Sequence, residues 1–179
     1  MTISHWDAAR TNQRSDELGK LLSDAVNGGA SLGFMPPLDR DHAWAYWVDV
    51  ARSVADGAIQ LLVLEEGGEL IGTVQLHEAQ RANASHRAEV AKLLVRSLDR
   101  QRGHGRRLML AVQDLARQRG RTTLVLDTRL GDPSGRLYQA LGWVKTGDVP
   151  FYARSADGSL HTTRFYHLIL VAPENPRRA

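Results

Sequence analysis

The fold turns on one stretch, Lys92-Leu-Leu-Val-Arg-Ser-Leu-Asp-Arg-Gln-Arg-Gly-His-Gly-Arg-Arg-Leu-Met109. An apolar run, Leu93-Leu94-Val95, stops abruptly, and arginines with two glycines follow before apolar residues return at helical spacing. Leu108, Met109, Val112, Leu115 and Ala116 share one face, which predicts a helix over 105–119. Residues 87–95 read as the strand before it. The β-branched run 122–128 reads as a buried central strand after it. Strand, helix and strand make one βαβ unit, so the two strands are expected to be parallel, with a right-handed crossover.

The turn Arg100-Gln-Arg-Gly103-His-Gly105 sits where this strand hands over to its helix. Glycines reach left-handed backbone conformations without penalty and let a ligand approach the main chain. Several N–H groups then converge at a helix N-terminus, which suits an anion such as a phosphate or pyrophosphate. A Walker loop is excluded, because GxxxxGK[ST] is missing. The dinucleotide fingerprint fails at its third glycine, since Gly105 is followed by Arg-Arg-Leu. A plain tight turn with surface arginines remains the bland alternative.

Working outward, residues 2–7 are a short first strand. Residues 13–27 predict a helix with Leu18, Leu21, Leu22, Ala25 and Val26 inward, ended by Gly28-Gly29. An apolar loop broken by Gly and Pro, 30–37, either covers the core or lines a pocket. Asp39 or Asp41 caps a second helix near 40–55, with Trp44, Trp47, Val48 and Ala51 inward. The period then changes to two: 59–65 and 69–77 flank Gly67-Gly68 as a hairpin. Residues 80–86 read as a loop. A short helix over 134–141 ends at Gly142, strands follow at 143–153 and 160–170, and the tail PENPRRA reads as frayed. The order is (β)ααβββαβαββ, an α/β (α+β) arrangement in one domain, 1–179.

Composition narrows the function classes. The 179 residues hold no cysteine, which rules out a disulfide framework, a Cys-rich zinc site and a cysteine nucleophile. No apolar run approaches the ~18 residues of a membrane span, and the first residues lack the apolar core of a signal peptide, so a cytoplasmic location is expected. Arginine supplies 20 of 23 basic residues, yet the net charge is only +3 and the arginines are scattered. That argues against a nucleic-acid-binding protein.

Arg100-x-x-Gly103-x-Gly105 after Leu-Leu-Val resembles the acetyl-CoA pyrophosphate loop of the GNAT superfamily of N-acyltransferases. Ser134-Gly-Arg-Leu-Tyr138-Gln-Ala-Leu-Gly-Trp143 resembles that superfamily's second signature, some 30 residues on, and the element order also matches. A finer resemblance, to the tabtoxin-resistance acetyltransferases, is carried by 28–35, 87–93, 126–128 and 157–163. The superfamily implies a mixed, mostly antiparallel sheet with a parallel, splayed pair of strands, flanked by helices. It implies acetyl-CoA as cosubstrate, no metal, and direct attack by an amine without an acyl-enzyme.

On that resemblance, backbone N–H groups of Gln101, Arg102, Gly103, His104, Gly105 and Arg106 hold the pyrophosphate, with Arg100 and Arg106 as ionic partners. Leu93, Leu94 and Val95 pair with the pantetheine arm, and Ser134 contacts the cofactor. Tyr138 is the expected acid to the departing thiolate, phenol and thiol having reference pKa values of ~10 and ~8.5. Asp127, Glu89 and His77 are the candidate bases, in that order, with a water chain as the alternative. Ser31, Phe34, Met35, Tyr152 and His161 are the expected acceptor-pocket residues, with Tyr166 and the edge of the Trp44/Trp47 helix beside them. The expected partner is a small-molecule amine, an amino-acid-like toxin or antibiotic being one form. A protein N-terminus or lysine is the alternative acceptor, a non-catalytic acyl-CoA sensor is the alternative of another class, and a homodimer is the family's habit.

Overall fold

The computed structural model describes residues 1–155 and 157–170; the tail from 171 lies outside the described residues. The elements are β1 (Thr2–Trp6), α1 (Ala8–Gln13), α2 (Ser15–Asn27), α3 (Arg40–Ala55), β2 (Ile59–Glu66), β3 (Glu69–Glu78), β4 (Arg87–Val95), α4 (His104–Gln118), β5 (Thr123–Arg129), α5 (Ser134–Ala140), β6 (Val144–Arg154) and β7 (Leu160–Ile169). Seven strands form one sheet in the order β1-β2-β3-β4-β5-β7-β6. Every pairing is antiparallel except β4 with β5, as the βαβ pattern requires. No helix among the described residues is long and apolar enough to cross a membrane.

Both faces of the sheet are covered, which explains why β2 is a nearly unbroken apolar run. Leu62 and Leu64 join the core under α4, with Leu108, Met109, Val112 and Leu124. Leu61 and Val63 point the other way, into the core under α2 and α3 with Leu18, Leu22 and Trp47. Gly72 on β3 lets α4 approach: a Cβ there would stand 2.5 Å from Leu94 O and 3.1 Å from a Leu108 methyl.

Two local expectations need correction. Residues 8–13 are helical, with the Asp7 side chain accepting from Arg10 N at 2.8 Å as an N-cap. Six residues show too little periodicity to be seen in advance. In α3 the buried stripe is Ala43, Trp47, Val50 and Ala51, whereas Trp44 is 47 % exposed. The stripe is set by helical phase, and a small Ala43 takes the place against α2.

The β4–β5 pair is short. It runs through Arg87–Thr123, Ala88–Leu124 and Glu89–Val125 and then stops, although both strands continue. β4 also carries a bulge: Thr73 faces Leu94 while Gln75 faces Ala91, and Lys92 between them takes φ 50°. The strands part after Glu89 and Val125, and the bulge at Lys92 follows three residues later on β4.

Candidate active site

Where β4 and β5 part, a cavity of about 860 Å³ opens. Its floor is Glu89 to Leu93 on β4 and Asp127 to Arg129 on β5. The 29–36 loop forms one wall, Ser134 and Tyr138 of α5 another, and Tyr152, His161 and Thr163 of the β6–β7 hairpin a third. Of the residues predicted from sequence, Glu89, Leu93, Asp127, Ser134, Tyr138, Ser31, Phe34, Met35, Tyr152 and His161 are brought together here.

The cavity opens to solvent, with Glu89 and Asp127 exposed and Lys92 half-buried, and its charges lack direct ionic partners among the described residues. Among the described residues Glu89, Asp127 and Lys92 make no direct ion pair. Partial desolvation raises the Glu89 carboxyl, and the nearby Asp127 charge raises it further. Partial desolvation likewise raises Asp127, against the opposing pull of Lys92. Burial pushes the Tyr138 hydroxyl up to about 12. Tyr138 is buried against Trp143 and Tyr166, and one turn before it Ser134 Oγ meets Thr128 Oγ1 at 3.0 Å.

The glycine turn lies beside this cavity. Gly103 stands at the helix N-cap with φ 82°, and Gln101 is also left-handed at φ 62°. No backbone or side-chain acceptor among the described residues takes the N–H groups of 101–106. The first turn of α4 thus presents free donors and the positive end of its dipole. A Cβ on Gly105 would stand 3.4 Å from a Leu137 methyl and 4.0 Å from one of Leu93, so the helix start borders the cavity wall. Arg106 is exposed, Arg100 Nε donates to Val95 O at 3.1 Å, and Arg102 pairs with Asp99 at 3.2 Å. His104 is buried, with Nδ1 unpartnered among the described residues. Leu94 turns its side chain into the core, while the edges of 93–95 that face β5 have no strand partner.

Other expectations fall elsewhere. His77 is off the cavity, its Nε2 2.8 Å from Gln75 Oε1, to which the Tyr46 hydroxyl also donates at 3.1 Å. Trp47 and Tyr166 are core residues that do not line the cavity. Sequence reasoning missed Lys92, whose Nζ donates to Leu32 O at 2.7 Å. The available signal was a lysine set between Val90-Ala91 and Leu93-Leu94-Val95 in the apolar half of the strand. Among the described residues no group of three His, Cys, Asp or Glu side chains gathers to hold a metal.

Residues 22–143 match the acetyltransferase (GNAT) family. The chain is 32 % identical over 131 residues to an uncharacterized N-acetyltransferase encoded in the hisH-hisA intergenic region of Azospirillum brasilense, covering 72 % of this chain and 76 % of that one. Its fold is similar to that of yncA, a putative acetyltransferase of Salmonella typhimurium solved with its cofactor acetyl-CoA: TM-score 0.79, 22 % identity, 100 % and 99 % of the two chains. It is also similar to the ribosomal-protein-alanine N-acetyltransferase of Brucella melitensis, with TM-score 0.76, 21 % identity and 94 % and 99 % coverage.

Proposed function

The chain belongs to the GNAT family of acetyltransferases, and from that premise we propose that it transfers acetyl from acetyl-CoA to the primary amine of a small molecule. The observation that carries this reading is the parting of β4 and β5 after Glu89–Val125, beside a helix N-terminus with free N–H groups. The pyrophosphate sits on 101–106, with Arg100 and Arg106 near it. The pantetheine arm runs along the unpaired edge of Leu93, Leu94 and Val95, past Ser134. The thioester then lies over Glu89, Asp127 and Tyr138.

The acceptor arrives as an ammonium and must lose a proton before its nitrogen can attack the thioester carbon. Asp127 is the first choice to take that proton, with Glu89 beside it. Partial desolvation by the cavity walls lifts both carboxyls, which makes each a stronger base than a fully hydrated carboxylate. When the C–S bond breaks, Tyr138 donates to the leaving thiolate, and the second proton shed by the acylated nitrogen restores the phenol. A phenol near 12 is a weak acid, but a leaving thiolate desolvated beside it is raised in the same direction.

A small acceptor is favoured because the 29–36 loop and the β6–β7 hairpin both wall the cavity, with Ser31, Phe34, Met35, Tyr152 and His161 around it. The tabtoxin-resistance likeness extends this to an amino-acid-like toxin or antibiotic. We further read residues 1–179 as one domain, working in the cytoplasm, with a homodimer as the family's habit.

The test is calorimetric titration with acetyl-CoA against a duplex-DNA control, then a screen of small amines and short peptides by thiol release. A chain without cysteine gives that assay no protein background. Micromolar 1:1 binding and acceptors confined to small amines are the expected result. Absence of acetyl-CoA binding overturns the reading, and acetylation of peptides alone moves the acceptor to a protein N-terminus or lysine.

A further inference from the structure

Lys92 is placed unlike any other lysine in the chain. It sits on the β4 bulge in the left-handed region, φ 50°, which a non-glycine residue holds only when its surroundings over-determine it. The bulge turns its side chain into the cavity. There one of its three donors reaches Leu32 O at 2.7 Å, and its Nζ stands 5.7 Å from the Phe34 ring and 5.8 Å from the Tyr46 ring. Gly33, with φ 82°, carries the loop backbone past the ammonium. No carboxylate pairs with Lys92 directly among the described residues, so its charge is shared across the cavity.

We infer that Lys92 is a positioning residue: one ammonium pins the 30–37 loop to β4 at Leu32 and serves as the cation for Glu89 and Asp127 in the same cavity. The titratable groups around it are Glu89 on its own strand, Asp127 on β5, His77 on β3, Tyr46 on α3 and Tyr138 on α5, with Arg87 also acting on Glu89. Arg129 of β5, Asp132 before α5, and Arg154, Asp157 and His161 of the β6–β7 hairpin line the same cavity. Partial desolvation in the cavity favours the neutral form of both carboxyls, and Lys92 opposes this at each. Burial keeps His77 low, and Lys92 lowers it further, so it supplies no competing positive charge. The two tyrosines stay neutral, each pushed up to about 12 by burial.

The inference rests on Glu89 and Asp127 being the acceptor-side carboxylates, but its test needs neither acceptor nor turnover. Carboxyl carbon resonances of Glu89 and Asp127 are followed by NMR against pH in the unsubstituted chain, Lys92→Met, Lys92→Gln and Lys92→Arg. Both carboxyls should titrate at higher pH in the Met and Gln variants and return toward the original position in Lys92→Arg. Amide order parameters of 31–35 should fall in Lys92→Met toward the flexible range, below about 0.6. Lys92→Gln, which keeps a donor for Leu32 O, should retain more of them. Unchanged titration in both neutral variants overturns the inference, as does an undisturbed loop in Lys92→Met. If the neutral variants do not fold, the unsubstituted chain still decides. The Lys92 Cε resonance must then move as the two carboxyls titrate, and a flat trace through that range overturns the coupling. Loss of acetyl-CoA binding would count against the proposed function and leave these resonances to report on Lys92.

Discussion

Tyr138 and Asp127 share a cavity, and desolvation raises both, but Tyr138 is buried while Asp127 opens to solvent. Desolvation keeps the Tyr138 phenol protonated through any working pH, so it serves as a donor and never as a base. Tyr138→Phe keeps the ring packed against Trp143 and Tyr166 and removes only the hydroxyl. Turnover at saturating amine should fall by about 10²-fold or more, the usual scale of a lost general acid, with acetyl-CoA affinity unchanged. Wild-type turnover in this variant would remove the role. Asp127 must be ionised to accept a proton, and partial desolvation in the cavity raises its pKa. Activity should therefore be lost as pH falls through that raised value and be retained above it. Asp127→Asn should flatten this acid limb of the pH–rate profile. A limb that survives intact passes the role to Glu89 or to water.

At the level of elements, the two glycines of the turn do different work, and substitution separates them. Gly103 is left-handed with open space around it, so Gly103→Ala should cost about 1–2 kcal/mol of stability from backbone strain. Gly105 lies inside α4, where alanine is the better helix former by about 0.5–1 kcal/mol. Its new methyl would stand against Leu137 and Leu93 at the border of the cavity. Gly105→Ala should thus hold or gain stability in denaturant unfolding, yet weaken acetyl-CoA binding roughly tenfold, or ~1.4 kcal/mol. Equal affinity in this variant would leave the second glycine as an ordinary turn residue. The turn was legible in advance because its chemistry is local: glycines, a preceding apolar run and a following helical stripe. The strand that precedes it was legible only in part. Bounds 87–95 follow from residue types, but the bulge at Lys92 and the parting after Glu89 are matters of register with β3 and β5, which no single strand encodes. Trp44 shows the same division. Its apolar character suggests an inward face, while the phase of α3 against α2 decides for Ala43.

Across the whole molecule, the sheet has a seam. On one side β1–β4 carry α1–α3. On the other, β5, β7 and β6 form an antiparallel unit whose β5 meets β4 through only three registered pairs. α4 spans the seam by packing Leu108, Met109, Val112 and Ala116 into a core that includes residues from both halves. A cosubstrate lying between β4 and β5 would add contacts to both halves at the point where the protein's own are fewest. Any ligand that binds only the folded chain stabilises it, by about 2.7 kcal/mol at 100 times its Kd. For a chain of this size that is roughly 5–10 °C in Tm. The seam predicts something beyond that uniform gain. In the free protein, amides of β5 and β7 should exchange through a partial opening that leaves β2 and β3 closed. Acetyl-CoA should suppress that opening, slowing exchange in β5 and β7 by a larger factor than in β2 and β3. Hydrogen exchange followed strand by strand, with and without acetyl-CoA, measures both factors. Equal slowing in the two halves would mean that the sheet opens as one unit and that α4 alone is enough to close the seam.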